Sequence, residues 1–355
     1  MSRRILITGR AGFVGSALGL GLAQRYPDWQ IIALDNLKRR GSELNLPRLK
    51  QAGIQFAHGD IRNREDLDAV ALQPDLILEC SAEPSVLAGY TSPGYMLQTN
   101  LVGTINCLEL ARQTQADFIF LSTSRVYPIA YLNALEFTET ETRLELTQQQ
   151  PLPGASSEGI SEEFPLDKAR SLYGATKLAS ELLIAEYADA YGLRTLINRC
   201  GVLTGAWQMG KVDQGVFALW MAFHYFQKPL KYIGYGGTGK QVRDFLHVAD
   251  LLDLIDLQIH SLEKLKGQTF NVGGGVNNTL SLYETTQLCQ EITGNKVSIT
   301  PIPETRIGDA PIFITDSYKV MTATGWQPKR DAKMTLTEIY EWIHQFEQQV
   351  SYIFN

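Results

Sequence analysis

Through the first half of the chain, short apolar runs alternate with longer stretches whose apolar residues recur at spacings of three and four. This alternation predicts parallel strands joined by crossover helices. A strand covered on both faces is continuously apolar, and a helix lying on a sheet carries one apolar stripe. Strands are expected near 4–8, 30–35, 54–58, 75–80 and 117–122, and helices near 13–26, 64–72 and 95–115. Two later runs, 195–199 and 269–272, read as further strands of the same sheet. After position 203, helices at 215–226 and 282–293 mix with short extended pieces and ring-bearing loops. The pattern predicts an α/β protein, a doubly wound parallel sheet with a smaller C-terminal α/β substrate lobe. The first lobe is expected over 1–202 with further elements near 244–275, and the second over 203–243 and 276–355. The segment 138–168, rich in Glu, Gln, Pro, Gly and Ser with weak periodicity, reads either as a functional lid or as a solvated insertion.

A chain of 355 residues exceeds one usual core, which agrees with two lobes. With 44% hydrophobic and 20% charged residues it is a packed globular protein rather than a disordered one. A net charge of -6 and a pI near 5.5 provide no field to gather nucleic acid or an anionic membrane. Any anionic ligand must therefore meet locally placed cations. Arg3 and Arg4 run straight into Ile5-Leu6-Ile7 and Gly9, too short an apolar stretch for a signal peptide, and no segment approaches the roughly 20 apolar residues of a membrane span. Cys80, Cys107, Cys200 and Cys289 are far apart, and the five histidines are scattered, so no protein-built metal site is expected and a reducing cytoplasm is the simplest setting.

Chemistry enters with TGRAGFVGS, in which Gly9, Gly12 and Gly15 follow the first strand and open a helix. Glycine allows the tight turn and the close approach of backbone to a pyrophosphate, whose charge then faces the helix N-terminus. Asp35 closes the second strand, where a carboxylate suits two ribose hydroxyls and repels a 2′-phosphate, favouring NAD over NADP. Lys38, Arg39 and Arg40 lie close enough to argue the other way. Asp60 and Ile61 could meet adenine, or Asp60 could simply cap a turn. Tyr173 and Lys177, four apart at the start of an amphipathic helix, share one face, so the ammonium can lie near the phenol and stabilise its phenolate. The fifth strand ends in Ser122-Thr123-Ser124, at the edge where open parallel sheets bind ligands. Thr123 is the candidate for hydrogen-bonding the reacting oxygen. The plain alternatives are an exposed Tyr–Lys pair and hydroxyls that satisfy a strand end.

TGRAGFVGS, the Ser-Thr pair at 122–123, YGATK and GKQVRDFLHVAD together resemble the extended short-chain dehydrogenase/reductase family of nucleotide-sugar epimerases and dehydratases, with its Rossmann-type sheet, over nearly the whole chain. Within it the chain is most similar to the CDP-paratose (CDP-tyvelose) 2-epimerases, on DNLKRRGSELNL at 35–46, HGDIRN at 58–63, VDQGV at 212–216 and GKQVRDFLHVAD at 239–250. The resemblance implies a catalytic set of Thr123, Tyr173 and Lys177, with Gly9, Gly12, Gly15, Asp35, Asp60 and Ile61 around NAD and Asn100 ordering the site. It implies a substrate-binding set of Arg243, Arg306 and Asp309 in which Arg243 and Arg306, the latter followed by Asp309 in TRIGDAP, grip the diphosphate of a nucleotide-sugar substrate, and that helices 95–115 and 171–190 pair in a homodimer or higher homo-oligomer. Arg10 departs from the family pattern in place of a second glycine, as do Leu172 before the tyrosine, Cys80-Ser81-Ala82-Glu83 after the fourth strand, and Pro128. The reaction expected is epimerisation at C2. A 4-epimerase uses the same logic at C4. A 4,6-dehydratase needs adjacent carboxylates where this chain has Ser124 and Arg125, and a non-catalytic NAD(H) sensor would not need Thr123, Tyr173 and Lys177.

Overall fold

A computed structural model describes residues 2–70, 73–210 and 214–354. The end of the helix expected at 64–72, and Val212 and Asp213 of VDQGV, lie outside the described residues. The remaining expected strands form one seven-stranded sheet: β1 (Arg4–Thr8), β2 (Gln30–Asp35), β3 (Gln55–His58), β4 (Leu76–Glu79), β5 (Asp117–Thr123), β6 (Thr195–Cys200) and β7 (Gln268–Val272). Their order is β7-β6-β5-β4-β1-β2-β3, and every neighbouring pair is parallel. The chain runs outward from β1 to β3 and then returns to β4 on the other side. A crevice therefore opens beyond the carboxyl ends of β1 and β4, where the strand order reverses.

Successive side chains of a strand point to opposite faces, and both faces are covered. Ile5 and Ile7 of β1 pack with Ile119 and Leu196 against Leu18 and Leu22 of α1 (Phe13–Arg25) and Leu251 and Ile255 of the later helix Val248–Leu265. Leu6 faces the other way, with Ile77, Phe118, Phe120 and Ile197, toward Leu108 and Ala111 of α2 (Gly103–Thr114) and Ile184 of α3 (Leu172–Tyr191). The helix expected over 95–115 is broken into Pro93–Leu97, a wide π turn at Gln98–Val102, and α2. At that turn buried Asn100 leaves its side chain free for partners outside the helix.

Beyond β6, a second sheet is built on Val242–His247, flanked by parallel Val202–Thr204, antiparallel Thr279–Ser281 and parallel Ile312–Phe313. It packs on the helices Val216–Tyr225, Leu282–Thr293 and Ala332–Gln345 through Phe217, Trp220, Phe245, Leu336 and Trp342. A Ser281–Glu284 capping box fixes the start of Leu282–Thr293. The segment 138–168 departs from its solvated reading. It carries two small antiparallel pairs, Phe137–Glu139 with Leu144–Leu146 and Ala155–Ser156 with Gly159–Ile160. Leu144, Ile160 and Phe164 are buried with Tyr127, Ile312 and Phe313. Among the described residues no helix is long and apolar enough to cross a membrane.

Charges are buried where α3 meets β6. Arg199 and Glu181 are 7% and 5% exposed and form an ion pair of 2.7 Å. The Ser122 hydroxyl donates to the same carboxylate. Arg199 also reaches the Tyr127 hydroxyl at 3.4 Å, and that hydroxyl donates to Asn271 Oδ1 at 2.7 Å. Removing one member strands the other without solvent, so Glu181→Ala should cost about 3–5 kcal/mol of stability. The double replacement Glu181→Leu with Arg199→Met should recover most of that loss. Chemical denaturation of the three variants checks both expectations.

Candidate active site

The crevice is a cleft of about 610 Å³ whose wall includes Gly9, Gly12, Gly15, Asp35, Asp60, Ile61, Ser122, Thr123, Arg125 and Tyr173. Its floor is set by the glycine turn. Gly9 has φ +64, and a Cβ there would lie 2.8 Å from the Ser81 backbone, while one on Gly15 would lie 2.5 Å from the Gly9 carbonyl. α1 starts with Gly12 as its N-cap, with no side-chain cap and no acidic residue in the first turn. The positive end of the helix is thus left to the cleft, a donor set that fits a pyrophosphate.

Asp35 accepts the Ala11 amide at 2.9 Å and the Leu37 amide at 2.7 Å, so it also braces the turn. Burial pushes its carboxyl above the usual range even against those amides. Asp60 is pulled down to about 2 although burial opposes it, because Arg62 grips it at 2.6 Å and Asn36 donates at 2.8 Å. Ile61 packs under α2, where a Cβ on Gly103 would lie 2.4 Å from its Cδ1. The three cations that argued for a phosphate line the cleft but are engaged by protein groups: Lys38 lies 3.1 Å over the Tyr95 ring, Arg39 donates to the Met209 carbonyl at 2.8 Å, and Arg40 donates to the Tyr352 carbonyl at 2.5 Å. Arg10 leaves the turn open. Its side chain is fully buried beneath α1, where a Cβ on Gly19 would lie 1.8 Å from Nη2, and burial lowers it to about 9.

Tyr173 stands at the start of α3, capped by Ser171, whose hydroxyl accepts the Gly174 amide at 3.2 Å. Its phenol is pushed up to about 12 by burial, opposed by a hydrogen bond from Thr123 and by the charge of Arg125. Thr123 and Tyr173 share the cleft wall, as expected. Lys177 differs. Its ammonium lies 3.7 Å over the Phe120 ring, and although burial lowers it, Glu79 and Glu181 favour its charge. Glu79 is paired in register with Phe120 on β5, so both occupy one face of the sheet. A shared helical face brings the stems of Tyr173 and Lys177 together, but the long lysine chain ends over the Phe120 ring. Glu79 itself is fully buried, accepts from Thr104 at 2.8 Å, and is raised by burial to about 7.

Ser122 takes its strand-end role by donating to Glu181. Asn100 is not on the cleft wall. It holds Glu83, a wall residue, by accepting its amide at 2.8 Å and donating to its carbonyl at 3.1 Å, and it donates to Thr176 at 3.3 Å. Its contacts position the wall rather than touch the cleft. Arg243, Arg306 and Asp309 also lie off that wall. Arg243 pairs with Asp309 at 2.6 Å and donates to the Val242 carbonyl at 2.7 Å, and the Asp309 amide donates to the Arg306 carbonyl at 3.2 Å. Arg125 connects the two groups: it lines the cleft and donates to the Gly308 carbonyl at 3.0 Å. Glu79, Glu83 and Arg125 were not assigned roles from sequence, although a carboxylate ending the apolar run LILE was a signal for the first. Among the described residues no cluster of His, Cys, Asp or Glu could hold a metal ion.

The model of the NAD dependent epimerase/dehydratase family matches residues 5–273. The chain is 32% identical to the CDP-paratose 2-epimerase of Salmonella typhi over 96% of its own length and 98% of that protein. It is 26% identical to a dTDP-glucose 4,6-dehydratase of Salmonella typhimurium, over 96% and 92% of the two chains. Among solved structures it is similar to the UDP-glucose 4-epimerase of Thermus thermophilus in complex with NAD, with a TM-score of 0.77, 26% identity and coverage of 96% and 99%. A family model that spans most of the chain, around a cleft with this glycine turn and Thr–Tyr pair, identifies the protein as a member of the NAD dependent epimerase/dehydratase family.

Proposed function

We propose that this chain inverts C2 of a nucleotide-linked hexose, with CDP-paratose-like sugars as its first substrates. The observation that carries an oxidoreductive reading is Thr123 and Tyr173 together on the wall of a cleft floored by the glycine turn. The likeness to the Salmonella typhi relative along the full chain supports the C2 position. Ser124 and Arg125, in place of adjacent carboxylates, speak against a dehydratase, because arginine cannot serve as a general acid at neutral pH.

Gly9, Gly12, Gly15, the open N-terminus of α1 and Asp35 fit NAD, which would supply reversible hydride acceptance at the sugar carbon. Asp60 and Ile61 are assigned to its adenine end, and Asn100 to holding the Glu83 segment beside it. Tyr173 accepts the sugar hydroxyl proton and later returns it. Thr123 donates to the same oxygen. Lys177 supplies buried positive charge one helical turn from the phenol, which favours the phenolate. The region 203–243 with 276–355 binds the nucleotide sugar, Arg243 and Arg306 meeting the diphosphate while Asp309 holds Arg243 ready. Leu182 and Tyr191, 64% and 52% exposed on α3, support pairing of two copies through this helix. Four free cysteines suit a reducing compartment.

Replacing Tyr173 with Phe keeps the ring and removes only the oxygen, so turnover should fall by roughly 10²- to 10⁴-fold while NAD affinity stays within about twofold. Steady-state kinetics and calorimetry test this, and a variant that keeps most of its activity removes Tyr173 from the mechanism. The carbon is tested in heavy water. The product should be inverted at C2 with no solvent deuterium there. Deuterium at C2 would indicate proton abstraction, and inversion found only at C4 would make the protein a 4-epimerase.

A further inference from the structure

Arg125 occupies the position directly after the strand-end hydroxyls, and its backbone is locked from both sides. Its amide donates to Thr123 Oγ1 at 3.2 Å. Its carbonyl lies against the residue that follows Tyr173, so that a Cβ on Gly174 would come within 1.9 Å of it. The arginine is thereby built into the turn between the two groups assigned to the reacting oxygen.

Its guanidinium is held but not neutralised. It donates to the Gly308 carbonyl at 3.0 Å, and among the described residues it forms no ion pair. Arg243, by contrast, is bound to Asp309 and to three backbone carbonyls. Among the groups that act on Arg125 most strongly are Arg243, Asp309 and the phenols of Tyr173 and Tyr235. Arg125 and Arg243 share the one carboxylate of Asp309 here, while the wall carboxylate Glu83 also acts on Tyr173. The Tyr235 hydroxyl is buried with no partner among the described residues, so a further polar group is available at the same place.

We infer that Arg125 binds the phosphate on the anomeric carbon of the substrate beside Tyr173, and that this grip presents C2 rather than C4 to the phenol. The inference rests on the nucleotide-sugar reading above and names the residue that sets the carbon. The phenol must touch the hydroxyl of the carbon being oxidised. C2 is bonded to the carbon that carries the phosphate, whereas C4 lies across the ring. A fixed cation next to the phenol reaches the phosphate when C2 is presented and faces the ring when C4 is. A guanidinium suits the role because its planar fork can hold one carbonyl and still offer parallel donors to a phosphate.

The holoenzyme is tested with CDP and CDP-paratose as probes. Arg125→Met keeps most of the stem and removes the charge, and Arg125→Lys keeps the charge. Arg125→Met should weaken CDP binding and raise KM for CDP-paratose by about 10- to 100-fold, the loss of charged hydrogen bonds, with NAD affinity unchanged. Its product, followed by NMR, should contain sugar inverted at C4. Arg125→Lys should restore most of the CDP affinity and inversion at C2 alone. A Met variant with wild-type CDP affinity, KM and carbon choice overturns the role of Arg125 and leaves the C2 reading standing. Inversion at C4 by the wild-type protein overturns the C2 reading and this inference with it. Loss of NAD affinity together with CDP affinity in both variants would make Arg125 a structural residue.

Discussion

Where Gly9 turns beneath the start of the segment after β4, backbone meets backbone with no space for a side chain: a Cβ would come within 2.8 Å of Ser81. This contact holds the carboxyl ends of β1 and β4 side by side at the point where the strand order reverses. It also fixes the direction of α1, whose uncapped N-terminus then opens onto the cleft. Asp35 reinforces the turn from the neighbouring strand by taking the Ala11 amide. One carboxylate thus both shapes the loop and offers its remaining lone pairs to a ligand.

Where α3 lies on the sheet, the structure keeps charge buried in pairs and near-pairs, whereas Arg10 under α1 has no hydrogen-bond partner among the described residues. Glu181 and Arg199 compensate each other directly, while Glu79 and Lys177 share an apolar compartment roofed by Phe120. Buried charge without a partner is costly, so these groups specify how α3 lies on the sheet more than they add to its stability. That orientation aims Tyr173 at Thr123. The site is held by a polar interior that a purely apolar core could not have registered so closely.

Strand positions were legible because parallel strands covered on both faces are continuously apolar, and β1 to β7 all fall within two residues of the runs that predicted them. The glycine turn, Asp35, Thr123 and Tyr173 were legible because each has a local sequence context. Contacts between distant segments were not. Nothing in the spacing of Tyr173 and Lys177 shows that the ammonium lies over Phe120 with a buried glutamate on β4 favouring its charge, or that Arg125 acts on the phenol. The segment 138–168 misled by composition. Its polar residues are spent on backbone groups, as when Glu162 accepts the Asn271 amide, while a few apolar residues, Leu144, Ile160 and Phe164, are wholly interior.

That segment can be regarded as a brace. Ile160 is hydrogen-bonded by Asn271 from β7 on one side and bridges to Thr315 on the other, next to the strand Ile312–Phe313 of the second sheet. A strut fastened at both ends resists a hinge between them. The cleft is therefore expected to keep its shape whether or not a ligand is present, so that little of the binding energy is diverted to closing it. Insertion is expected to be easier at exposed Gln148 and Gln149 than at the fastened ends.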